Sequence, residues 1–184
     1  MRKLIVQEML TIDGFFCGPN GEIDWHNVDA EFNEYAIGML DRVDTLIFGR
    51  VTYDLMASYW PTSAAVTDDP HVAERMNRLH KIVFSKTQES LTWNNSEVRH
   101  EIDADEIRKL KEASGKDMII FGSGMIVSQL AELGLIDEVR SIVAPVILGQ
   151  GRTLFSTITK SRKMILLRSH AFASGNLLSV YIPS

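Results

Sequence analysis

The chain has 184 residues, 45% of them hydrophobic and 23% charged, which is typical of one globular domain and argues against disorder. Its net charge of -5, with no basic run, argues against nucleic acid as a partner. No segment has the roughly 20 apolar residues that span a bilayer, no signal-peptide core is present, and the single Cys17 excludes an internal disulfide and fits a reducing, cytoplasmic compartment.

The first quarter of the chain predicts a strand, a long loop and a helix. Residues 3–10, KLIVQEML, are predicted as a strand, and residues 11–27 as a loop with three glycines and a proline. Loops of that length inside a compact domain are usually functional. A helix is predicted from about Asp29 to Asp41, with Asp29 as its cap, and the strand TLIFG follows it.

The middle of the chain predicts short helices that alternate with strands. Thr52 is predicted to cap a helix over residues 53–60. Asp69, followed by Pro70 at the first helical position, is predicted to begin another helix. The strand KIVFS comes directly after it.

A capping box gives the clearest helix start in the chain. A weaker strand around EVRHEI leads to Asp103 and Glu106, which have capping-box spacing, and Gly115 is placed to end the helix. The strand DMIIFG follows, and then a helix over MIVSQLAEL that stops at Gly134.

The C-terminal part of the chain predicts strands with no helix between them. These strands cover residues 137–148, 163–172 and 176–182, and the last two are joined by ASG as a hairpin. Alternating strands and helices followed by such strands predict a mixed sheet covered by helices, in one α/β domain over residues 1–184.

Small or polar residues stand at three strand ends. Gly49, Ser85 and Gly122 end predicted strands, and the carboxyl ends of parallel strands are where ligands bind in open α/β sheets. Arg50 and Lys86, each one residue further on, offer charge for phosphate. Each glycine taken alone could equally form a turn that needs a positive φ.

The glycine patterns do not match the standard nucleotide-binding motifs. In GSGMIV, Val127 occupies the third glycine position of the dinucleotide fingerprint, which argues against a standard Rossmann domain. A second pair, Gly149 and Gly151, is followed by Arg152, and turn and phosphate contact are both open there.

Five segments in order resemble a known family. They are TIDGFFCGPNGEIDW, LIFGRVTYD, VFSKT, IIFGSGMIVSQL and DEVRSIVAPVILGQGRTLF. Their order is similar to that of the dihydrofolate reductase-like fold, and most of all to the C-terminal reductase domain of bacterial riboflavin-pathway deaminase-reductases (RibD) and its stand-alone relatives. The resemblance implies a three-layer α/β/α domain with a mixed, mainly parallel eight-stranded sheet, an antiparallel C-terminal hairpin and bound NADPH.

Ten residues match the cofactor-binding turns of that family. The resemblance implies that the adenosine-side phosphates meet Gly49, Arg50 and Thr52. Ser85 and Lys86 match the turn near the 2'-phosphate. The pyrophosphate turn is matched by Gly122, Ser123, Gly124, Met125 and Ile126.

The catalytic residue is left open among four candidates. The resemblance implies that the first loop, with Asp13 near its start, closes over the nicotinamide, and that an acid near the start of the first helix, Asp29 or Glu31, lies beside the substrate. Gln7 is a further candidate if its side chain faces the cleft, while Glu8 takes the opposite face of the strand because side chains alternate. Each acid could equally be a helix cap or a solvated residue.

The substrate-binding residues are less clearly indicated than those for the cofactor. Met9, Trp25 and Tyr53 are weak candidates, since aromatic residues more often belong to a core. Riboflavin-pathway reductases usually have an acid before the later glycines and often a lysine after the first-loop Asp-Gly, where this chain has Phe121 and Phe15. The resemblance therefore implies a changed substrate.

The sequence as a whole favours a cytoplasmic NADPH-dependent reductase of a small pterin-like, pyrimidine or other heterocyclic or carbonyl substrate. The alternative is a non-catalytic NADP(H)-binding or dimeric interaction module on the same fold. No histidine or cysteine spacing indicates a metal site, and the apolar C-terminal strands favour a homodimer.

Overall fold

Eight strands form one mixed sheet in the computed structural model, which describes residues 1–184. The chain's strands are β1 (Leu4–Leu10), β2 (Phe15–Cys17), β3 (Val43–Gly49), β4 (His80–Phe84), β5 (Ser96–Arg99), β6 (Asp117–Phe121), β7 (Glu138–Val143), β8 (Arg152–Thr153), β9 (Met164–Ala171) and β10 (Leu177–Pro183). The large sheet has the order β5-β4-β3-β6-β1-β7-β10-β9. Its first six strands are parallel, and β10 runs antiparallel to both of its neighbours. The predicted mixed sheet with an antiparallel C-terminal hairpin is confirmed.

Six helices cover the two faces of this sheet. They are α1 (Ala30–Leu40), α2 (Arg50–Tyr59), α3 (Ser63–Asp68), α4 (Pro70–Arg78), α5 (Ala104–Glu112) and α6 (Gly124–Glu132). Leu4 and Val6 belong to a core that α5 and α6 complete, whereas Ile5 belongs to a core that α1 and α4 complete. Successive side chains of β1 therefore point to opposite layers, as strand geometry requires.

Three predicted caps are confirmed and a fourth is wrong. Asp29 caps α1 by accepting a hydrogen bond from the Phe32 N–H. Asp69 caps α4 by accepting a hydrogen bond from the Val72 N–H, and Asp103 caps α5. Thr52 is not a cap, because α2 begins at Arg50 with Gly49 in the cap position. Thr52 lies in the first turn of the helix, where its hydroxyl accepts a hydrogen bond from the Ser123 N–H in the turn after β6.

Three local elements differ from the sequence prediction. The six-residue helix α3 is too short to carry a helical apolar pattern and was not predicted. The predicted strand over residues 137–148 ends at Val143, since Pro145 cannot donate a hydrogen bond to a neighbouring strand. Strand β2 lies in the segment predicted as loop, and β8 lies in a segment for which no element was predicted. The two strands form by pairing with each other, as Phe15 does with Thr153.

Strand β9 forms one edge of the large sheet and is exposed along its whole length. Ile165, Leu166 and Leu167 each expose about half of their surface: 49%, 52% and 52%. None of the six helices is long and apolar enough to cross a membrane.

Candidate active site

The carboxyl ends of β1, β3 and β6 meet at a cleft of about 800 Å³. Helices α2 and α6 begin at this cleft, α1 contributes Phe32 and Ala36, and β2 and β8 contribute Phe16 and Arg152. A concave, largely apolar space of this size is typical of a site for a small molecule or cofactor.

Two of the six helices lack a side-chain cap, and both begin at the cleft. The other four have their first turns capped by the side chains of Asp29, Thr62, Asp69 and Asp103. In α2 and α6 the cap positions are Gly49 and Ser123, and neither side chain caps its helix. Uncapped first-turn N–H groups and the positive end of the helix dipole make such helix starts suitable for an anion.

Two hydrogen bonds join these helix starts. The backbone N–H of Gly49 donates to Ser123 Oγ at 2.8 Å, and the backbone N–H of Ser123 donates to Thr52 Oγ1 at 3.0 Å. The end of β3 and the turn after β6 are therefore held together, so that one ligand can contact both.

The turn between β6 and α6 has an unusual backbone. Gly122 and Ser123 both adopt left-handed conformations, with φ of 56° and 59°. For a serine this costs about 1 kcal/mol, and such strain is concentrated at functional sites. A Cβ on Gly122 would lie 3.0 Å from Thr52 Oγ1 and Cγ2, so this position also lacks room for a side chain.

Two arginines add positive charge to the cleft. Arg50 is the first residue of α2, where a cation is disfavoured by the helix dipole, and its guanidinium pairs with Asp54 at 3.0 Å. Arg152 is exposed at β8 and donates to the carbonyl of Pro19 at 2.8 Å. Both arginines line the cleft. The sequence pattern left Arg152 open between a turn and a phosphate contact, and the structure places it at the site.

Asp13 lies outside the cleft lining and fastens the first loop. Its carboxylate accepts hydrogen bonds from the N–H groups of Leu148 at 3.1 Å and Gly149 at 2.7 Å. A hydrogen bond from the Thr11 hydroxyl, followed by that from Gly149, lowers the pKa of Asp13 to about 2. The structure thus gives this catalytic candidate a different task, because its oxygens are engaged by the segment before β8.

The two acids near the start of α1 also lie outside the cleft lining. Asp29 caps α1 by accepting from the Phe32 N–H at 2.8 Å. Glu31 accepts from the Ala173 N–H and lies 2.8 Å from His170 Nε2, in the β9–β10 hairpin. Both carboxylates have structural partners and neither lines the cleft, so their place beside the substrate stays a prediction.

Gln7 and Met9 line the cleft, as the strand alternation allowed. Gln7 Oε1 accepts a hydrogen bond from the Tyr35 hydroxyl at 2.7 Å. This bond fixes the orientation of the amide, and the NH₂ of Gln7, which has no partner within the chain, is free to donate to a ligand.

Glu8 lines the same cleft, and sequence reasoning missed it. Only 8% of its surface is exposed, and its Oε2 atom has no hydrogen-bond partner. Burial raises the pKa of Glu8 to about 8, partly offset by the backbone N–H groups of Gly122 and Met9. An acidic residue inside the strand IVQEML was a signal for this site, since a charge in a buried strand needs an explanation.

The aromatic candidates of the sequence analysis have structural positions. Tyr53 is buried, and its hydroxyl accepts a hydrogen bond from the Trp93 N–H at 2.9 Å. Trp25 packs beside the core that contains Met9, and its neighbour His26 reaches the cleft in its place. Burial lowers the pKa of His26 to about 4, so the imidazole is neutral at neutral pH.

Ser85 and Lys86 are not brought into the cleft lining. The Ser85 hydroxyl accepts hydrogen bonds from the N–H groups of Thr87 and Gln88, while Lys86 is exposed. Their contact with a cofactor stays a prediction. All the other residues predicted at the cofactor turns line the cleft: Gly49, Arg50, Thr52, Gly122, Ser123, Gly124, Met125 and Ile126.

Comparison with known proteins identifies the family. The model of the RibD C-terminal domain matches residues 2–178 of this chain. The chain belongs to the RibD C-terminal domain family. It is 31% identical over 180 residues to the uncharacterized protein YyaP of Bacillus subtilis strain 168, covering 98% of this chain and 94% of that protein.

Solved structures support the same fold for this RibD C-terminal domain. The deaminase/reductase of Thermotoga maritima has a TM-score of 0.70 at 16% identity, covering 100% of this chain and 57% of that one. Dihydrofolate reductase of Enterococcus faecalis, solved with NADP(H), has a TM-score of 0.66 at 16% identity, covering 99% of this chain and 96% of that one. The dihydrofolate reductase-like fold is therefore confirmed.

Proposed function

We propose that this RibD C-terminal domain is an NADPH-dependent reductase of a small heterocyclic or carbonyl substrate. The observation that carries the proposal is the pair of uncapped helix starts, α2 and α6, which are joined by Ser123 and open on one cleft. A dinucleotide carries phosphates at two points along its length, so each of the two helix starts could bind one of them.

The residues at these helix starts fit the phosphates of NADPH. Helix α6 begins at Gly124, which has no side chain of its own, and no side chain caps the N–H groups of this first turn. The guanidinium of Arg50, at the start of α2, is about half exposed to solvent and is accessible to a ligand. A guanidinium group can bind phosphate through two parallel hydrogen bonds. When bound, NADPH supplies a hydride to a carbon of the substrate.

The remaining part of the cleft suits an uncharged ring. Phe32, Met39 and Ile142 supply apolar lining, and Gln7 supplies an amide donor among them. An amide edge in an apolar site is suited to the edge of a pterin, a pyrimidine or a related heterocycle. Phe121 lines this cleft at the position where the riboflavin-pathway reductases usually have an acid, which supports a substrate different from theirs.

Titration with NADPH and with NADH tests the proposed cofactor. We expect NADPH to bind at least tenfold more tightly than NADH, and we expect Arg50→Ala to remove most of that difference. Arg108→Ala is the matched control, because Arg108 also pairs with an acid on an exposed helix, Asp105, away from the cleft. Equally weak binding of both dinucleotides would overturn the proposal.

Oxidation of NADPH with a panel of acceptors tests the reaction. The panel contains 7,8-dihydropterin and dihydrofolate for C=N bonds, and benzaldehyde for C=O bonds. Oxidation above the protein-free rate, lost together with binding in the Arg50→Ala variant, supports a reductase. Tight binding of NADPH without any oxidation supports the non-catalytic module instead.

A homodimer is part of the proposal. The edge strand β9 exposes about half of each of Ile165, Leu166 and Leu167, and an exposed apolar edge strand is otherwise an aggregation hazard. A second copy of the chain would cover the same apolar residues by symmetry.

A further inference from the structure

The proposed reduction has a requirement that the cofactor does not meet. When a hydride reaches the carbon of a C=N or C=O bond, a proton must reach the nitrogen or oxygen. Asp13, Asp29 and Glu31 lie outside the cleft, so none of them is placed to deliver that proton.

Six ionisable side chains line the cleft, and most of them are unsuited to proton delivery. They are Glu8, Cys17, His26, Arg50, Asp69 and Arg152. Arginine keeps its proton at any ordinary pH. The Asp69 carboxylate is engaged as the cap of α4, where it accepts from the Val72 N–H at 3.1 Å.

His26 and Cys17 are also poor sources of the proton. Burial lowers the pKa of His26 to about 4, so its imidazole carries no acidic proton at neutral pH. Burial raises the pKa of the Cys17 thiol above its ordinary value of 9.0, which makes this thiol a weaker acid. By elimination, Glu8 is the cleft side chain that can hold and release a proton near neutral pH.

The position of Glu8 suits this task. It lies on β1, the strand between β6 and β7, on the same sheet face as Val6 and next to the Gly122 turn. More than nine tenths of the residue is buried, yet it lines the cleft, and its Oε2 atom has no hydrogen-bond partner. A buried carboxyl oxygen without a partner is costly unless a ligand provides one.

We propose that Glu8 is the proton donor of the reduction, transferring the proton of its neutral carboxyl group to the nitrogen or oxygen of the substrate's C=N or C=O bond. This inference rests on the proposed function. The substrate gains a hydride at carbon and a proton at the heteroatom, the reduced nicotinamide is oxidised by two electrons, and Glu8 is left as a carboxylate. Water returns the proton to Glu8 after the product leaves.

A neutral Glu8 also limits the class of substrate. The protonated carboxyl puts no negative charge at the base of the cleft, and Gln7 beside it is uncharged. The group that receives the proton is therefore an uncharged carbonyl oxygen or imine nitrogen, which accepts a hydrogen bond from the carboxyl before the transfer.

No charged neighbour sets the protonation of Glu8 through an ion pair. The titratable groups around it are Cys17 on β2, His26 in the first loop, Arg152 on β8 and Arg50 on α2. Cys17 and His26 are uncharged near neutrality, and each arginine contacts another group, Pro19 or Asp54. Burial is therefore the main control of the Glu8 proton, so ligand binding that excludes water will hold the proton more firmly.

The first test observes Glu8 without any cofactor or turnover. Protein labelled with ¹³C at the glutamate carboxyl carbons is titrated by NMR. We expect one glutamate signal to titrate near pH 8 in the wild type and to be absent in Glu8→Gln. If every glutamate signal titrates below pH 6, the proposal is overturned. Glu34→Gln, on the exposed face of α1, is the matched control.

The second test measures single-turnover oxidation of saturating NADPH by 7,8-dihydropterin, dihydrofolate or benzaldehyde. We expect the wild-type rate to fall tenfold per pH unit once the pH passes the pKa of Glu8, which is about 8 in the free protein and higher with ligand bound, since the acid form of Glu8 is then lost. Glu8→Gln should lower the rate at least 100-fold with NADPH affinity unchanged, while Glu8→Asp retains part of it and Glu34→Gln all of it. Unfolding transitions confirm that each variant is folded.

The two proposals fail in different ways. The proposed function fails if the wild type does not bind NADPH, or if it binds NADPH but none of the three acceptors oxidises the bound cofactor. The role of Glu8 in catalysis then fails as well. If the wild type is active and Glu8→Gln keeps its rate and pH profile, the role of Glu8 alone is overturned.

Discussion

The backbone N–H of Gly49 donates a hydrogen bond to the Ser123 hydroxyl at 2.8 Å, across 74 positions of sequence. This bond joins the ends of two neighbouring strands, β3 and β6, at the point where each passes into an uncapped helix. A single cofactor can therefore contact both helix starts, and the properties of this junction lead to the first predictions.

Thr52→Val is expected to weaken the junction without changing the shape of the side chain much. The variant leaves the buried Ser123 N–H without its acceptor, which costs about 1 to 3 kcal/mol of unfolding free energy. We expect NADPH affinity to fall at least tenfold as well, measured by titration calorimetry. Thr67→Val is the control, because the Thr67 hydroxyl lies outside the cleft lining and donates only to the Ser63 carbonyl. An equal loss of NADPH affinity in Thr67→Val would contradict the prediction.

Gly122→Ala is expected to destabilise the protein and abolish cofactor binding. The added Cβ would lie 3.0 Å from two Thr52 atoms, at a backbone φ of 56° that alanine disfavours. Denaturant unfolding should give a loss of about 2 kcal/mol or more. Gly38→Ala in α1, where a Cβ meets nothing within 4 Å, should instead stabilise by up to about 1 kcal/mol.

Glu8 is expected to make stability fall as pH rises. Its pKa is raised from 4.5 to about 8 in the folded state, so its full contribution is present below pH 4.5 and is lost as the pH rises to about 8. The loss is at most about 5 kcal/mol, at 1.36 kcal/mol per pKa unit. Urea unfolding of Glu8→Gln across this range should have a flatter pH dependence, whereas a slope equal to the wild type would contradict the burial of Glu8.

His26 is expected to act in the opposite direction at lower pH. Its pKa is lowered from 6.5 to about 4 by burial, so the folded state is not penalised above pH 6.5 and loses stability as the pH falls towards 4. His26→Leu should remove most of this acid-side loss, which is at most about 3 kcal/mol at 1.36 kcal/mol per pKa unit. His71→Leu, on the exposed side of α4, is the matched control. The variants and the wild type are compared by urea unfolding between pH 4 and 7.

Leu167→Lys is expected to separate a dimer into monomers. Leu167 lies on the exposed edge strand β9, and a charge there opposes burial against a second copy. Light scattering should give twice the chain mass of 20.7 kDa for the wild type and the single mass for the variant. Val66→Lys, at a similarly exposed apolar residue on α3, should remain dimeric. A monomeric wild type at 100 μM would contradict the prediction.

Local signals in the sequence were sufficient for most of the helices and strands. Asp69 before Pro70 and Asp103 before its acidic first turn each predicted a helix start that the structure confirms, because capping depends on residues within one turn. The start of α2 was misplaced by three positions, since its cap, Gly49, has no side chain to signal it.

The acids show where local reasoning stopped. Asp13, Asp29 and Glu31 lie in or beside predicted loops, as catalytic acids often do. In the structure, Asp13 and Glu31 accept hydrogen bonds from Gly149 and Ala173, which are distant along the chain, and Asp29 caps a helix. Glu8 was assigned to the face of β1 away from Gln7, which is correct for the strand. The cleft reaches both faces of the sheet at the end of β1, so that Gln7 and Glu8 both line it. This shape depends on β2 and on α6, which is distant from β1 in sequence.

The sequence by itself determined most of the strands and helices, the mixed α/β sheet and the glycine-rich turns, because these depend on hydrophobic periodicity and on residues a few positions apart. Only the tertiary structure decided which of these turns share one cleft, and which acid is buried there. Burial and hydrogen bonding between distant segments set the pKa of Glu8 and occupy Asp13, and neither quantity can be read from neighbours along the chain.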